Sequence, residues 1–362
     1  MINKITSKPV LRVSDVKKFL FFTETSFKLP KGYRQAEWLL GGAQAMAIVC
    51  EKVAQKKNRK IKVALPGFFC GQTIRFLRSM PVELVFYQLL DDLTPDFQNL
   101  QQQSLTDHID ILILVHYFGT VKAQKDARMF ANSNNMILLE DAAHVMTVEN
   151  NYWQGDYIIF SPHKHFVSPP IGLLIHKEEK KLNDVGNLKF ANFPVLWMAK
   201  QLVRTMIRSR TAPWGAVWNS HSQNIDTLSP NSHSIKRAIY NLKNHNKDRR
   251  LKKYNAISLC ETLTTVSGWT PFQLTSGIET PYLFAMICDD RHIASRRYGL
   301  LNVQNPIVNQ WPDLPYEIDE SKIIREQVTD LLDRVLYFPI HGQLNTVSWL
   351  KEITRIVNIK GF

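Results

Sequence analysis

Between residues 36 and 177 the chain repeats one pattern, a short apolar run followed by a longer stretch of mixed character. The runs are "AEWLLGG", "IKVALP", "VELVFYQ", "DILILVHYFG", "MILLEDAAH", "DYIIFS" and "GLLIHK". Each has strand length and is apolar throughout rather than alternating, the mark of a strand covered on both faces. Strands of that kind belong in a largely parallel sheet whose crossovers are helices, so the pattern predicts an α/β domain. The intervening "GGAQAMAIVCEKVAQKKNRK" and "TVKAQKDARMFANSNN" have the start and the apolar spacing of such helices.

The pattern changes after residue 177. Residues 178–230 mix Lys and Arg with Phe, Leu, Trp and Met at roughly helical spacing, as in "KFANFPVLWMAKQLVRTMIRSRTAPWGAVW". The stretch "SHSIKRAIYNLKNHNKDRRLKKYNAISLCETL" predicts one long charged helix with an apolar stripe over about 232–265. The remainder, with "YLFAMICDD", "RVLYFPIHG" and "TVSWLKEITRIV", predicts a smaller α/β domain closed by a helix. The expected division is 1–230 for the large domain, with 178–230 as a basic connecting segment, and 231–362 for the small one.

A chain of 362 residues, 44% hydrophobic and 21% charged, is long enough for two such cores. Forty-five Lys and Arg against thirty-two Asp and Glu give a formal charge of +13, which favours anionic partners without choosing among them. Cys50, Cys70, Cys260 and Cys288 are widely spaced, with neither a zinc pattern nor a disulfide framework. With no apolar segment resembling a leader or a span, a cytoplasmic protein is expected. The basic face of residues 189–218 allows peripheral contact with an anionic membrane, but packing against the protein body is the favoured reading. The run "KNHNKDRRLKK" has no accompanying nucleic-acid motif, so nucleic-acid binding is not expected.

Asp141 and Lys164 stand 23 positions apart, each at or just beyond the carboxyl end of a predicted strand. Ligands of open α/β sheets bind at that edge, so the spacing allows both to face one pocket. A carboxylate and an amine there suit pyridoxal phosphate: the lysine meets the cofactor aldehyde, and the carboxylate keeps the pyridine nitrogen protonated. His163 and His165 flank the lysine and offer charges that lower its pKa. The alternative for Lys164 is a solvated lysine in a turn. Upstream, the two glycines of "LLGGAQAM" allow backbone N–H groups to approach a phosphate at a helix start. Ser161 offers a hydroxyl to the same group, and Phe68 or Phe69 in "LPGFFCGQ" a ring to stack on it.

In this order the motifs resemble the sugar aminotransferases of the DegT/DnrJ/EryC1/StrS type, within fold type I pyridoxal phosphate enzymes. "LLGGAQAM" sits where that family has a phosphate-binding Ser-Gly-Thr turn, and "ALPGFFCGQTI" where it has the loop with the ring-stacking residue. "ILILVHYFGT", "MILLEDAAHVM", "IIFSPHKHFVSPPIGLLI" and "VLYFPIHGQL" follow the family's further segments. The resemblance implies Lys164 as the Schiff-base lysine and Asp141 as partner of the pyridine nitrogen. It implies Ser161 with the Gly42, Ala43 and Gln44 backbone as phosphate cradle, and His144 in place of a glutamine near the ring hydroxyl. Phe69 or Cys70 falls at the stacking position.

The resemblance further implies a mostly parallel sheet covered by helices plus a small C-terminal α/β domain, and a homodimer. The expected activity is amino transfer from an amino-acid donor to a nucleotide-linked keto sugar. Two other readings stand beside it: a sugar dehydratase or lyase of the same fold, or a catalytically reduced member that binds a nucleotide sugar, glycan or partner. This sequence departs from the family in Gly-Gly-Ala for Ser-Gly-Thr and in a shortened glycine turn, "VSPPIG", after the lysine.

Overall fold

The computed structural model describes residues 9, 11, 26–106, 108–150, 152–182, 189–190, 195, 197–199, 202, 228–272, 281–303, 307–344, 346–358 and 362. The basic segment 189–218 lies almost wholly outside them.

All seven runs form strands of one sheet. They are β1 (Gln35–Leu39), β2 (Ile61–Pro66), β3 (Val82–Tyr87), β4 (Ile111–Val115), β5 (Ile137–Asp141), β6 (Tyr157–Phe160) and β7 (Gly172–His176). Their order is β1-β7-β6-β5-β4-β2-β3. Strands β2 to β6 pair in parallel, while β7 runs antiparallel to both β6 and β1. The continuous apolar runs have the predicted cause, since Leu112, Ile113, Leu138, Leu139, Ile158 and Ile159 are fully buried. Helix α1 (Gly42–Lys57) follows β1 and buries Ala45, Met46, Val49, Cys50 and Val53. Helices α2 (Gly71–Leu77), α3 (Phe97–Thr106) and α4 (Gln124–Ser133) form the crossovers.

The predicted long helix over 232–265 is two helices, α6 (Ser232–Lys243) and α7 (Asn246–Leu263) in the order of description, separated by Asn244 and His245. The break has a local cause. The Tyr240 carbonyl accepts both the backbone N–H (3.0 Å) and the side chain (2.9 Å) of Asn244, which ends the first helix there, and His245 Nδ1 reaches the Leu242 carbonyl, the acceptor that a continuing helix would offer to the Asn246 N–H.

Beyond them lies a second sheet of β10 (Trp269–Pro271), β11 (Phe284–Cys288) and β12 (Val335–Phe338), all antiparallel. The short pair β8 (Lys189–Phe190) and β9 (Leu228–Ser229) precedes it in the chain. Along β11 and β12 alternate residues serve two cores. Ala285, Val335 and Tyr337 join the core of the large sheet, whereas Phe284, Met286, Leu336 and Phe338 pack with Leu259, Trp349 and Ile353. The strand period of two thus locks the small sheet to the large one on one face. Its other face is covered by α7, a helix α8 (Arg291–Asn302) and the last helix, Thr346–Val357.

The edge of the large sheet remote from the site is clamped by one carboxylate. Asp110, fully buried, lies 2.6 Å from both Lys57 Nζ and Arg59 Nη2, and accepts the Lys62 backbone N–H at 2.9 Å. It joins the end of α1 to the starts of β2 and β4. Burial alone would raise its pKa, but the hydrogen bonds from Arg59, Lys57 and Lys62 outweigh burial and hold it below the ordinary value. A carboxylate with a lowered folded pKa adds stability above its unfolded pKa and loses it as pH falls through the folded one. Asp110→Asn therefore costs about 1–3 kcal/mol at pH 7. In urea melts the difference from wild type shrinks as the solution is acidified below about pH 4.

Candidate active site

Parallel pairing of β5 with β6 sets Asp141 opposite Ile159, and Ser161 lies two residues further along. The carboxyl ends of these strands therefore deliver Asp141, Ser161 and Lys164 to one edge. Ser161 caps a single turn, α5 (Pro162–His165), with Pro162 as its first residue. That turn carries Lys164 back over the sheet edge, and the Lys164 N–H donates to the Ser161 carbonyl at 2.9 Å. His163 Nδ1 stands 2.8 Å from the Ile171 carbonyl, which ties the thin "VSPPIG" loop to the turn that bears the lysine.

The start of α1 completes the edge. A Cβ added at Gly42 would stand 2.9 Å from Ser161 Oγ and 3.1 Å from Ile159 Cγ2, so only glycine lets the helix start lie this close to the serine. At Gly172 an added Cβ would fall 2.5 Å from the Gly41 carbonyl carbon, a backbone contact that cannot give way. The glycine that ends the shortened loop therefore lets β7 run beside the helix start. Free N–H groups of a 16-residue helix and the Ser161 hydroxyl thus converge, a ready seat for a phosphate.

These groups line a cavity of about 360 Å³ together with Phe68, Phe69, Cys70, Asp141, His144, Lys164 and Tyr282. Gly42, Ala43, Ser161, His144 and both Phe69 and Cys70 reach its wall. Gln44 does not. Its side chain turns back to accept the Leu40 N–H at 2.8 Å, bracing the Gly-Gly turn.

Asp141 and Lys164 attract one another without closing into an ion pair. Among the described residues no carboxylate lies within 4.0 Å of Lys164 Nζ, whose ring neighbour is Tyr282 at 5.9 Å. Burial lowers the lysine's pKa, with Asp141 opposing. The Asp141 carboxyl is raised by burial, against the pull of Lys164, of the Ala143 N–H at 3.0 Å and of His116. His144 is sandwiched between Tyr282 (4.6 Å) and Phe118 (6.1 Å). Its pKa lies far below the ordinary value, through burial first and then Lys164. Its Nδ1 accepts the Phe118 N–H at 3.3 Å, so the neutral ring carries its proton on Nε2.

Sequence reasoning missed Tyr282, which touches both His144 and the space before Lys164. It sits at the head of an apolar strand run, "PYLFAMI", where nothing distinguishes it from a core residue. It also missed the loop 308–313 that walls the cavity. That loop is held by the paired backbone bonds of Val308 and Tyr337 and by the Tyr337 hydroxyl donating to the Trp311 carbonyl at 2.7 Å. No metal-holding cluster of His, Cys, Asp or Glu occurs among the described residues. No helix among them is long and apolar enough to cross a membrane.

No protein-family model and no curated protein sequence matches this chain. Solved structures do. PseC, a Helicobacter pylori aminotransferase involved in the biosynthesis of pseudoaminic acid, superposes with a TM-score of 0.72 at 13% identity, over 98% of each chain. A DegT DnrJ EryC1 StrS aminotransferase from Brucella abortus gives 0.63 at 14% identity, over 95% of this chain and 87% of its own. The E. coli GDP-4-keto-6-deoxy-D-mannose-3-dehydratase, solved with bound hydrated pyridoxal phosphate, gives 0.69 at 14% identity, over 99% and 100%. The fold expected from the sequence is therefore the observed one, a fold type I aminotransferase-like sheet with a smaller α/β sheet beside it.

A lysine of lowered pKa exposes more free amine at neutral pH than its surface counterparts. Limiting amounts of a small amine-directed reagent at pH 7.5 should label Lys164 first, as read by peptide mass mapping. Even labelling over the surface lysines would contradict the site as described.

Proposed function

We propose that this chain is a pyridoxal phosphate-dependent aminotransferase that passes an amino group from an amino acid to a nucleotide-linked keto sugar. The observation that carries the reading is the unclosed pair: a lysine and a carboxylate face one cavity, attract each other, and leave a gap between them. The residues fit the cofactor. The glycine-lined helix start with Ser161 suits its phosphate, Asp141 suits the proton of its ring nitrogen, the Nε2–H of His144 suits its hydroxyl, and Phe69 or Cys70 suits its face. In place of the Ser-Gly-Thr turn, the bare backbone of Gly42 beside the Ser161 hydroxyl would meet the phosphate.

When bound, pyridoxal phosphate supplies an aldehyde that takes up primary amines and a ring that draws electron density from the carbon bearing the amine. The protein supplies the rest. Lys164 Nζ, neutralised readily because burial lowers its pKa, takes a proton from one carbon and returns it to another. The Asp141 carboxylate holds positive charge on the ring nitrogen, where the low local dielectric strengthens the interaction. Tyr282, Phe118 and Trp311 around His144 keep that part of the site dry. The net charge of +13 suits a diphosphate-bearing sugar. A homodimer in the cytoplasm belongs to this reading, as in the family that the sequence resembles.

Family dehydratases carry histidine in place of the lysine, and here two histidines flank it. Both are engaged elsewhere, His163 at Ile171 and His165 with its Nδ1 3.2 Å from Lys252 Nζ. That supports Lys164 as the reacting group and amino transfer over dehydration. Purified protein mixed with pyridoxal phosphate should develop a visible absorbance band that Lys164→Ala abolishes. Added glutamate should then bleach the band in wild type, with release of the corresponding keto acid. No band in a folded wild-type protein would overturn the reading and leave a binding role for the fold.

A further inference from the structure

The cavity that holds Asp141 and Lys164 continues outward past the groups assigned to the cofactor. One wall of this outer part follows α2 through Gln72, Thr73 and Arg75, and the other is the loop that carries Asn309 and Gln310. The two walls are joined. The Gly71 N–H donates to the Asp313 carbonyl at 2.7 Å, and a Cβ added at Gly71 would stand 3.0 Å from the Asp313 and Leu314 carbonyl oxygens, so only glycine allows this approach. At its other end the loop is fixed by Val308 against Tyr337. Between these ties Gln310 has a φ of 47°, a left-handed conformation that a residue with a side chain adopts at a cost and that the flanking bonds hold in place.

The charges of this outer part are simple. Histidines aside, the cavity wall carries two cations among the described residues, Lys164 and Arg75. Arg75 is exposed, and its neighbour is the Phe76 ring at 5.6 Å; no carboxylate among the described residues lies within 4.0 Å of it. Asp313, the carboxylate on this part of the wall, is itself exposed and does not pair with Arg75. Three residues on, Arg78 is closed onto Glu317 at 2.5 Å and lies over the Tyr316 ring at 4.1 Å. The same short segment thus presents one guanidinium that is already satisfied and one left open at the cavity.

We propose that Arg75 is the anchor for the diphosphate of the substrate. A guanidinium is charged at any working pH, and its planar fork of donors matches phosphate oxygens two at a time. The side chains of Thr73, Asn309 and Gln310 add neutral donors on the walls around it, which suits a group with many acceptor oxygens better than a single carboxylate. Place agrees with chemistry. Cys70 borders the inner cavity, and a helical rise of about 1.5 Å per residue sets Arg75 roughly 7 Å further along the wall. In a nucleotide-linked keto sugar the phosphate is several bonds from the carbon that receives nitrogen, whereas the α-carboxylate of an amino-acid donor is one bond from the reacting carbon. That the anion is a sugar's diphosphate rests on the proposed function; an open cation in a polar groove belongs to the protein with or without cofactor.

Calorimetric titration of the full chain, with and without pyridoxal phosphate, tests the assignment. The probes are uridine, thymidine and guanosine diphosphates, each beside its nucleoside. At least one diphosphate should bind ten times or more tightly than its nucleoside, Arg75→Gln should remove about tenfold of that preference, and Arg75→Lys should restore part of it. No preference for any diphosphate in wild type, or a preference that survives Arg75→Gln intact, would overturn the assignment. A second arm follows the bleaching of the cofactor band by glutamate, which should need the same glutamate concentration in Arg75→Gln as in wild type. A variant that needs about tenfold more glutamate while keeping its diphosphate affinity would assign Arg75 to the donor's carboxylate instead, and so overturn the diphosphate. Diphosphate held through Arg75 by a protein that forms no cofactor band would sink the proposed function and leave this site standing.

Discussion

Everything at the site depends on an attraction that the backbone prevents from closing. Parallel strands β5 and β6 end side by side, one delivering Asp141 and the other, through a single proline-started turn, Lys164. A flexible surface pair would collapse into contact. Here the turn is fixed by the Lys164 N–H to Ser161 bond and by His163 at Ile171, and the two groups line one cavity without coming within 4.0 Å of each other. Burial makes each charge expensive, and each partly relieves the other. A flat ligand with a positive nitrogen at one end and an amine-reactive carbon near the other completes both.

Close backbone approach is the second condition. Gly42 against Ser161, and Gly172 against Gly41, bring a helix start, a strand end and the returning strand to within contact. These two glycines explain how a loop with fewer glycines than the resembling family and no Ser-Gly-Thr turn still gathers N–H groups and a hydroxyl at one point. The far edge is fixed independently by Asp110 with Lys57, Arg59 and Lys62, so the sheet is clamped at one end and open for chemistry at the other.

Much of this was legible in the sequence because burial on both faces leaves a strong trace. All seven apolar runs became strands of the large sheet, and the 23-residue spacing correctly led to one shared edge for Asp141 and Lys164. What escaped was whatever depended on three-dimensional neighbours. At the break at Asn244–His245 the His245 ring takes the Leu242 carbonyl, which a charge pattern does not reveal. The side chain of Gln44, whose backbone the resemblance assigns to the cradle, braces the turn at Leu40, a contact with no trace in the sequence. Tyr282 comes from a distant apolar run and reaches the site only because the small sheet packs on the large one.

The central claim is that the gap between Asp141 and Lys164 is the seat of a pyridoxal ring. A crystal structure of the protein grown with pyridoxal phosphate tests it most directly. The account predicts density continuous with Lys164 Nζ, the phosphate at the Gly42 and Ala43 N–H groups and Ser161, and the ring nitrogen facing Asp141. Well-ordered crystals at saturating cofactor with that gap filled by water alone, or with the cofactor bound elsewhere, would contradict it.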